Sequence, residues 1–310
     1  MMVTADASSP PPKPIPISPL SSVGSIDEIS FAGAFDLLED VKTRLHEDDE
    51  NNSTGTTTKP MKILFLSSDT GGGHRASAES LANQFLIHYP GSTYDLLDVW
   101  KDDGIWPYST LVETYKHFSA NPSHWRFFYH VSNSSFIGPA LTWHSTFSCE
   151  HKIRRRIESY DPDVIISVHP TMQHAPIRAC RKFAQAQKKH IPFFTVVTDL
   201  ASAHANWFES GVDKVYLASD SLYDLAKTKA GIPPQNIFKT GLPIRHDFAV
   251  QAQQLGDRNS PAGQAYQEHV KQTLGLSDMK PMILVMGGGE GVGGLDSIIN
   301  ELYTSLTLGG

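Results

Sequence analysis

The chain has 310 residues, which is long enough for two domains that each bury a core. Hydrophobic residues make up 40% and charged residues 19%, as in ordinary globular proteins, and the net charge of −7 argues against general nucleic-acid binding. Cys149 and Cys180 form neither a C-x-x-C pair nor a disulfide framework, which favours a reducing compartment, and no apolar run approaches the roughly 18 residues of a membrane span, so any membrane contact is expected to be peripheral.

The first 60 residues are predicted to be a disordered extension. Residues 10–19 are rich in proline, and residues 47–58 are polar with an acidic start. Between them, apolar residues from Ile26 to Leu45 recur at partly helical spacing, which fits a short amphipathic helix. This segment has no hydrophobic signal core and is too acidic for an ordinary transit peptide, so it offers no clear targeting signal.

The next stretch joins an apolar run to three glycines and a helical pattern. Ile63–Leu66 predicts a buried parallel strand, Gly71–Gly73 follow it, and a helix is predicted over residues 76–88. This arrangement places backbone N–H groups and a helix N-terminus at the edge of a sheet, facing a ligand. His74 stands at the mouth of the loop, where an imidazole can take a proton near neutral pH.

Several interpretations fit this stretch. Gly71, Gly73 and Ala76 satisfy the dinucleotide pattern G-x-G-x-x-A, a weak signal, and Asp98 ends the next predicted strand at the distance such a site requires. A nucleoside-triphosphate loop fails because no Gly-Lys-Ser/Thr follows. A phosphate or lipid head-group loop with a catalytic base remains, beside a plain strand-to-helix turn in which His74 is an ordinary first-turn residue.

Aromatic residues dominate the segment from residue 94 to residue 147, which starts within the second predicted strand, Thr93–Val99. Lysine, arginine and histidine residues are interleaved with them. Such amphipathic side chains suit a protein that sits on an anionic lipid surface. Packing of these aromatic rings in the core is the equal alternative. A basic helix is predicted to follow over residues 151–160.

Two further strands are predicted to lead into residues that can do chemistry. Val164–Val168 leads into His169, and the strand over residues 193–200 contains Asp199 near its end. Open α/β sheets place their ligands at such carboxyl ends, so Asp199 is a candidate for orienting a histidine or holding a sugar hydroxyl, or else it caps the next segment. His169 and His174 are five positions apart across a proline, which is poor spacing for a metal pair, so no metal site is predicted.

The carboxyl-terminal part repeats the opening pattern. A strand from Met282, a glycine-rich loop and a helix over residues 295–306 follow one another, and Gly289, Gly291 and Gly294 satisfy G-x-G-x-x-G. Two such loops in one chain predict two Rossmann-like domains that face each other. The glycine patterns alone also leave open a dinucleotide-dependent oxidoreductase.

A resemblance to a known family is carried by residues 68–79, 106–107, 166–174, 198–200, 204–208, 237–245 and 287–293. They are similar to segments of the monogalactosyldiacylglycerol synthases and related diacylglycerol glycosyltransferases, and the resemblance extends over about residues 61–300. It implies an α/β fold with two Rossmann-like domains of the glycosyltransferase B type.

The resemblance also divides the chain. The disordered extension over residues 1–60 precedes an acceptor-lipid-binding domain over residues 61–245, a linker over residues 246–280, and the start of a nucleotide-sugar-binding domain over residues 281–310. The N-terminal domain is expected to be complete and the C-terminal domain only begun. Because a lone strand and helix cannot bury both their faces, a truncated gene product or fragment is expected.

By resemblance, the expected activity is an inverting transfer of galactose from UDP-galactose to 1,2-diacylglycerol. The expected catalytic residues are His74, as the base that takes the proton of the acceptor hydroxyl, and Asp199, with either Asp199 or a backbone group expected to orient the imidazole. Glycine-loop amides, a helix dipole and an arginine are expected to stabilise the leaving UDP without a metal or a cofactor. The expected donor-binding residues are Arg245, Gly287, Gly288, Gly289 and Glu290. The expected acceptor-binding or lipid-binding residues are Gly72, Gly73, Trp106, Pro107, His169 and Trp207.

The resemblance further implies a peripheral protein of the plastid envelope membrane. Its expected partners are UDP-galactose, diacylglycerol and anionic membrane lipids, with phosphatidylglycerol and phosphatidic acid as candidate activators. A homodimer is also an expectation, and nucleic acid is not expected as a partner. A non-catalytic lipid-binding module, made from the first domain alone, is the alternative from another class of function.

Overall fold

A six-stranded parallel sheet forms the centre of the chain. The computed structural model describes residues 37, 60–68, 70, 72–132, 134, 136–187, 189–276, 283–286 and 295–308. The strands are β1 (Lys62–Leu66), β2 (Thr93–Leu97), β3 (Val164–Ser167), β4 (Phe193–Val196), β5 (Lys214–Leu217) and β6 (Ile237–Lys239). They lie in the order β2-β1-β3-β4-β5-β6, and every neighbouring pair is parallel. The predicted α/β class is confirmed.

Helices connect these strands and continue beyond them. The described α-helices are α1 (Gly72–His88), α2 (Val99–Asp103), α3 (Leu111–Ala120), α4 (Pro122–Ser132), α5 (Ile137–Tyr160), α6 (His174–Gln187), α7 (Asp220–Ala230), α8 (His246–Leu255), α9 (Pro261–Thr273) and α10 (Leu295–Leu308). Short 3₁₀ turns lie at Tyr108–Thr110, Pro170–Met172, Ala205–Trp207 and Pro234–Asn236.

The central strands β1, β3 and β4 are mainly apolar and almost wholly buried because helices cover both faces of the sheet. Successive side chains of a strand point to opposite faces. In β1, Leu64 joins an apolar cluster that includes Ile153 of α5 and Ile177 of α6. Its neighbour Phe65 joins a second cluster, which includes Phe85 of α1. The sequence of a strand that is buried on both faces is therefore a mainly continuous apolar run, and does not alternate between apolar and polar residues.

The order of the strands reverses at β1. Its neighbours are β2 on one side and β3 on the other, so the connections leave β1 and β3 in opposite directions and a crevice opens between them. The ladder continues past β3, since the N–H of Val168 donates to the carbonyl of Leu66 at 3.0 Å. The segments that leave the carboxyl ends of β1 and β3 are thus held side by side, where open α/β sheets bind their ligands.

Two helices begin earlier than the sequence predicts. α1 begins at Gly72 rather than at Ala76, so two of the glycines form its first turn instead of a loop. α5 begins at Ile137, whereas the sequence predicts a helix only over residues 151–160. The amphipathic pattern is hidden in the N-terminal half of α5 because large aromatic side chains there are exposed.

The predicted strand before the second glycine loop does not form in the part that the structure describes. Ile283, Leu284 and Met286 are exposed and outside any strand. A strand needs a neighbour for its hydrogen-bonded ladder, and none of the described strands pairs with this segment. The donor-loop residues Gly287, Gly288, Gly289 and Glu290 lie outside the described residues. The helix after the loop is present as α10.

The predicted disorder of the first 60 residues does not hold at Leu37. This residue is helical and buried against the cluster on the α1 side of the sheet. It lies inside the segment for which the sequence also fits a short amphipathic helix. The other residues up to residue 59 lie outside the described part.

Replacing Phe65 with alanine is expected to lower the free energy of unfolding by about 3–5 kcal/mol, because Phe65 is 0% exposed in the centre of the sheet. Phe127→Ala is the matched control, since the same change at a side chain that is 72% exposed removes almost no packing. The control is expected to stay within about 0.5 kcal/mol of the unsubstituted chain. Urea unfolding followed by circular dichroism measures both, and equal losses would contradict the central place of β1.

Candidate functional site

Two histidines from distant parts of the sequence meet at the carboxyl ends of β1 and β3. His74 lies in the first turn of α1, and His169 directly follows the extended end of β3. Their ring centroids are 4.6 Å apart with an edge-to-face angle of 72°. The reversal of strand order brings these two predicted site residues together.

His169 is held in one tautomer. Its side chain is 4% exposed. Nδ1 accepts the backbone N–H of Thr171 at 3.3 Å, so the proton of the neutral ring is on Nε2, which lies 2.6 Å from the hydroxyl oxygen of Thr70. Burial, and then the nearby His74, hold the pKa of His169 well below its usual value. Both ring nitrogens are engaged, so His169 shapes the site and fixes Thr70.

His74 is also neutral by environment. Burial lowers the pKa of its imidazole, while the charge of Asp199 and a hydrogen bond with the backbone of Val168 raise it in part. Nδ1 lies 2.7 Å from the hydroxyl oxygen of Thr198, which follows β4. An imidazole that stays neutral at physiological pH is able to accept a proton.

Asp199 does not hydrogen-bond to His74, which corrects the sequence-based expectation. Its Oδ2 accepts the indole N–H of Trp207 at 2.7 Å, and the direct partner of His74 is Thr198. Asp199 acts on His74 through its charge alone. Thr70 and Thr198 were missed, although Thr70 lies between the first predicted strand and His74, and Thr198 directly precedes Asp199.

Trp207 is not a lipid-facing residue, contrary to expectation. Its side chain is 0% exposed, and its ring lies 5.8 Å from that of His74. The indole N–H donates to the half-buried carboxylate of Asp199, so the ring can pack in the core without leaving an unpaired donor. Trp207 therefore belongs to the support of the site.

A cavity of about 400 Å³ opens beside the histidine pair. One end carries polar side chains, and α3 and α4 supply apolar and aromatic walls. We name it the aromatic cavity; its lining includes Thr70, His74, His169, Asp199, His204, Tyr115, Phe118, Trp125, Phe128 and Tyr129. This combination of an apolar enclosure and a few convergent polar groups is typical of small-molecule sites.

Gly72 and Gly73 lie in the first turn of α1 and are exposed. A Cβ atom built on either would meet nothing within 4 Å, so no packing requires glycine there. The N–H groups in the first turn of a helix have no acceptor inside the helix. These two predicted residues therefore leave an open backbone surface next to the histidine pair.

A second cavity, of about 640 Å³, lies between α5, α6, α7 and the segment around residues 203–209. Arg178, Arg181 and Lys229 line it, together with Thr146 and the paired side chains of His174 and Glu209. The hydroxyl of Thr146 is buried and has no hydrogen-bond partner among the described residues. We name this the basic cavity, and its cations and its unsatisfied hydroxyl suit an anion.

The two cavities share a wall. Ser132 and Asn206 line both of them. The hydroxyl oxygen of Ser132 lies 3.2 Å from Nε2 of His204, while Nδ1 of His204 accepts the N–H of Asn206 at 3.2 Å. Burial lowers the pKa of His204, and the charge of Asp199 opposes this shift. The end of α4 is thereby tied to the segment that carries Trp207.

The predicted lipid-side residues Trp106 and Pro107 are exposed, Trp106 by 78%. The neighbouring Tyr108 donates its hydroxyl to the carbonyl of Leu141 at 3.2 Å, which holds this turn against α5. Large exposed side chains continue there along α5, with the rings of Trp143 and Phe147 stacked at 5.5 Å. We name the exposed, stacked pair Trp143 and Phe147 of α5 the aromatic face.

Arg245 is not brought into the histidine cluster. It immediately precedes α8, and its guanidinium lies over the ring of Phe248 at 5.0 Å. Its neighbour Ile244 accepts the hydroxyl of Ser80 through its carbonyl at 2.5 Å, which joins this turn to α1. Arg245 does not line the aromatic cavity, so its expected role toward a donor stays a prediction.

In the described ranges, no group of three histidine, cysteine, aspartate or glutamate side chains is arranged to hold a metal ion. None of the described helices combines the length and the apolar character needed to cross a bilayer.

A family model described as monogalactosyldiacylglycerol (MGDG) synthase matches residues 74–244. The chain is 33% identical over 249 residues to the chloroplastic monogalactosyldiacylglycerol synthase of Spinacia oleracea, covering 80% of this chain and 45% of that protein. It is 32% identical over 250 residues to monogalactosyldiacylglycerol synthase 1 of Arabidopsis thaliana, also chloroplastic, covering 80% and 44%. The chain thus spans about half the length of the curated relatives it matches.

Among solved structures, the apo form of the lipopolysaccharide outer core galactosyltransferase WaaB matches with a TM-score of 0.36 and 13% identity. The match covers 59% of this chain and 46% of that one. Similarity at this level carries no argument about function.

Acidification is expected to destabilise the fold through His169. The folded-state pKa of His169 lies well below about 6.5, its value in an unfolded chain. The unfolded state therefore binds more protons as the pH falls below that value, and stability decreases. In His169→Asn, the loss of melting temperature between about pH 7.5 and about pH 5.5 is expected to be smaller.

His88→Asn is the matched control, because His88 is exposed at the far end of α1. It is expected to keep the full pH dependence of the melting temperature. Identical pH dependence in His169→Asn and in the unsubstituted chain would show that His169 titrates in the folded state as it does in the unfolded one.

Proposed function

The chain belongs to the monogalactosyldiacylglycerol synthase family, and from this premise we propose that it acts in galactosyl transfer from UDP-galactose to 1,2-diacylglycerol. The observation that carries the proposal is the neutral His74 at the polar end of the aromatic cavity. A base and an apolar enclosure are what an alcohol on a lipid acceptor requires. The acceptor half of such a reaction is supported by residues that the structure describes.

The reaction assigns one task to His74. The free hydroxyl oxygen of the acceptor attacks the anomeric carbon of the sugar, and a new carbon–oxygen bond forms as the bond to UDP breaks. UDP leaves with the bonding electron pair, and the proton of the hydroxyl goes to His74. Direct displacement inverts the anomeric carbon. Such base assistance contributes about 10²–10⁴-fold in rate.

The lowered pKa of His74 favours this role. Burial disfavours the imidazolium, so the ring is available as a base at neutral pH. The charge of Asp199 limits the shift and also stabilises the imidazolium that forms during transfer.

The walls of the aromatic cavity support a lipid acceptor. Their aromatic side chains come from α3 and α4, and the volume of about 400 Å³ lies within the range of small-molecule sites. The glycerol hydroxyl would face His74 at the polar end, with the beginnings of the acyl chains against the rings. The exposed Gly72 and Gly73 remain proposed acceptor-side residues.

The donor side of the proposal rests on the family. Arg245 and the loop residues Gly287, Gly288, Gly289 and Glu290 are proposed to bind UDP-galactose. Backbone amides of a glycine loop and a guanidinium would balance the charge that develops on the leaving diphosphate, with no metal or other cofactor. The inverting outcome and the galactose donor are parts of the same proposal.

Peripheral membrane binding is proposed through the aromatic face. Exposed tryptophan and phenylalanine side chains insert at the boundary between head groups and acyl chains. The basic cavity lies next to this face, since Trp143 lines its rim. Its cations favour anionic lipids, for which phosphatidylglycerol and phosphatidic acid are the proposed activators. The relatives are chloroplastic by name, and the proposed location is the plastid envelope.

A non-catalytic lipid-binding module is the second candidate. It is favoured by one observation, namely that the described residues that line the aromatic cavity all lie between positions 70 and 206. A homodimer remains a prediction that the described contacts leave untested.

His74→Asn is expected to reduce sugar transfer by about 10²–10⁴-fold, because the substituted side chain cannot take the acceptor proton. Transfer from radiolabelled UDP-galactose to diacylglycerol in mixed micelles is measured for this chain. The same assay is run on a version extended by the carboxyl-terminal half of the spinach relative.

His88→Asn, at the other end of α1, is the matched control and is expected to keep full activity. Transfer that survives in His74→Asn would remove His74 as the base. Lipid binding without transfer in either version of the chain would favour the non-catalytic module.

Replacing Trp143 and Phe147 together with serine is expected to weaken vesicle binding by about 10-fold or more, since two partly inserted aromatic side chains are lost. Co-sedimentation with vesicles of phosphatidylcholine and phosphatidic acid measures it. The matched control is Leu86→Ser with Ile87→Ser, an exposed apolar pair on α1, which is expected to bind normally.

The double substitution Arg178→Gln with Arg181→Gln tests the basic cavity separately from the aromatic face. This variant is expected to bind phosphatidylcholine vesicles as before but to lose the added affinity given by phosphatidic acid. If the variant with Trp143→Ser and Phe147→Ser binds vesicles as tightly as the variant with Leu86→Ser and Ile87→Ser, the aromatic face is not the membrane-binding surface.

A further inference from the structure

We propose that His204 is a positioning residue that holds the end of α4 as a wall between the aromatic cavity and the basic cavity. The wall keeps a neutral acceptor lipid and an anionic lipid in separate sites. This inference rests on the proposed function, which supplies the two lipids, and it assigns the residue that keeps the anionic lipid away from His74.

The two cavities differ in charge. Among the described residues that line the aromatic cavity there is no lysine or arginine, and Asp199 contributes a negative charge. Burial disfavours the charged form of the three histidines in this lining, and it lowers the pKa of His74, His169 and His204. The basic cavity contains three lysine or arginine side chains beside one carboxylate that is paired with a histidine. An uncharged lipid therefore suits the first cavity, and an anionic head group suits the second.

A short chain segment separates the two cavities. Ser202 and His204 line the aromatic cavity, whereas Ala203 and Ala205 line the basic cavity. Successive residues thus face opposite sides, as in extended backbone, and His204 has the extended angles φ −66° and ψ 144°. Helix α4 ends at Ser132, which lines both cavities, so the end of α4 completes the wall.

His204 joins this segment to α4 through a chain of three hydrogen bonds. The N–H of Asn206 donates to Nδ1 of His204 at 3.2 Å, so the proton of the neutral ring is on Nε2. Nε2 lies 3.2 Å from the hydroxyl oxygen of Ser132. This hydroxyl in turn donates to the carbonyl of Tyr129 at 3.3 Å. A backbone N–H at one end and a backbone carbonyl at the other therefore fix the direction of every bond in the chain.

The imidazole of His204 also packs against α4. Its ring meets the ring of Tyr129 edge to face, with centroids 5.5 Å apart and an angle of 83°. Because Nδ1 accepts an N–H, the chain of hydrogen bonds requires a neutral ring. Burial lowers the pKa of His204 by more than the charge of Asp199 raises it, which favours that neutral form. The ring thus offers no free N–H to an anion on either side of the wall.

The wall matters because phosphatidic acid contains the same glycerol and two acyl chains as the acceptor lipid, with a phosphate in place of the free hydroxyl. Behind an intact wall, this phosphate does not reach Arg178 or Arg181 from the aromatic cavity, and its burial without a cationic partner is unfavourable. If the imidazole is removed, the two cavities join. One phosphatidic acid molecule can then lie with its chains against the rings of α3 and α4 and its phosphate at the arginines, in the place of the acceptor.

The test measures whether the two lipids compete. Binding of a fluorescent short-chain diacylglycerol to the 310-residue chain is titrated with and without dioctanoyl phosphatidic acid. In the unsubstituted chain, phosphatidic acid is expected to change the Kd of the diacylglycerol by less than about 3-fold, since each lipid has its own site. In His204→Ala, phosphatidic acid is expected to raise that Kd by about 10-fold or more, since the two lipids then exclude each other.

Three further variants show whether the effect belongs to the wall. His204→Gln is expected to prevent competition, because its amide N–H can donate to Ser132 in the place of Nε2. Ser132→Ala breaks the same hydrogen bond from the side of α4 and is expected to permit competition, and it decides the question if His204→Ala does not fold. His130→Ala is the matched control and is expected to show no competition, because His130 is exposed on α4 and is not among the described residues that line either cavity.

Kinetics in the extended chain provide the second readout. In His204→Ala, phosphatidic acid is expected to raise KM for diacylglycerol by about 10-fold while kcat stays within about 3-fold, as competition for the acceptor site requires. A variant that is only destabilised would lose kcat, and this loss would not depend on phosphatidic acid.

The outcomes separate this inference from the proposed function. Competition in the unsubstituted chain, or its absence in both His204→Ala and Ser132→Ala, would overturn the role of His204. An unsubstituted chain that binds no phosphatidic acid would overturn it as well. Absence of transfer in every extended version, together with the expected pattern of competition, would remove the proposed reaction and leave the wall standing. Transfer without competition in the variants would remove the wall and leave the reaction.

Discussion

The backbone ladder between β1 and β3 is the constraint on which the rest of the site depends. The hydrogen bond from the N–H of Val168 to the carbonyl of Leu66, at 3.0 Å, holds the two strand ends together after the regular strand has ended. The segments that carry His74 and His169 both start from these two strand ends. Without the ladder, the two histidines would not be held next to each other. The site is thus a product of sheet topology, and the helices above it add the walls of the aromatic cavity.

Burial sets the charge state of the two histidines, and hydrogen bonds pair their ring nitrogens. Removing an imidazole from water disfavours its charged form, which keeps both rings neutral. A buried ring nitrogen also needs a partner, and the structure supplies hydroxyl groups for this purpose, from Thr70 to His169 and from Thr198 to His74. The only carboxylate nearby in the described cavity lining, that of Asp199, is engaged by Trp207. The same apolar enclosure that suits a lipid therefore also sets the protonation state of the candidate base.

The sequence predicted what depends on local pattern and missed what depends on tertiary contacts. Continuous apolar runs revealed the central strands, and their carboxyl ends revealed His74 and His169. The pairing of Asp199 with Trp207 was not predictable, because nothing in residues 199–207 says which atom the carboxylate will face. Threonine is common at strand ends, so the resemblance at residues 198–200 did not single out Thr198 as a partner of His74. The N-terminal half of α5 was missed because its exposed rings break the polar pattern expected of a surface helix.

The long sequence separations within the site have a consequence for folding kinetics. The contacts of the histidine pair join residues 99 and 124 positions apart, and such non-local contacts form late because long loops must close first. A chain in which β4 has not yet docked has no Thr198 beside His74, and its histidines are still hydrated and titrate near their usual pKa. The neutral histidine pair is therefore acquired only when β4 has joined β1 and β3, and its protonation behaviour reports whether these three strands have come together.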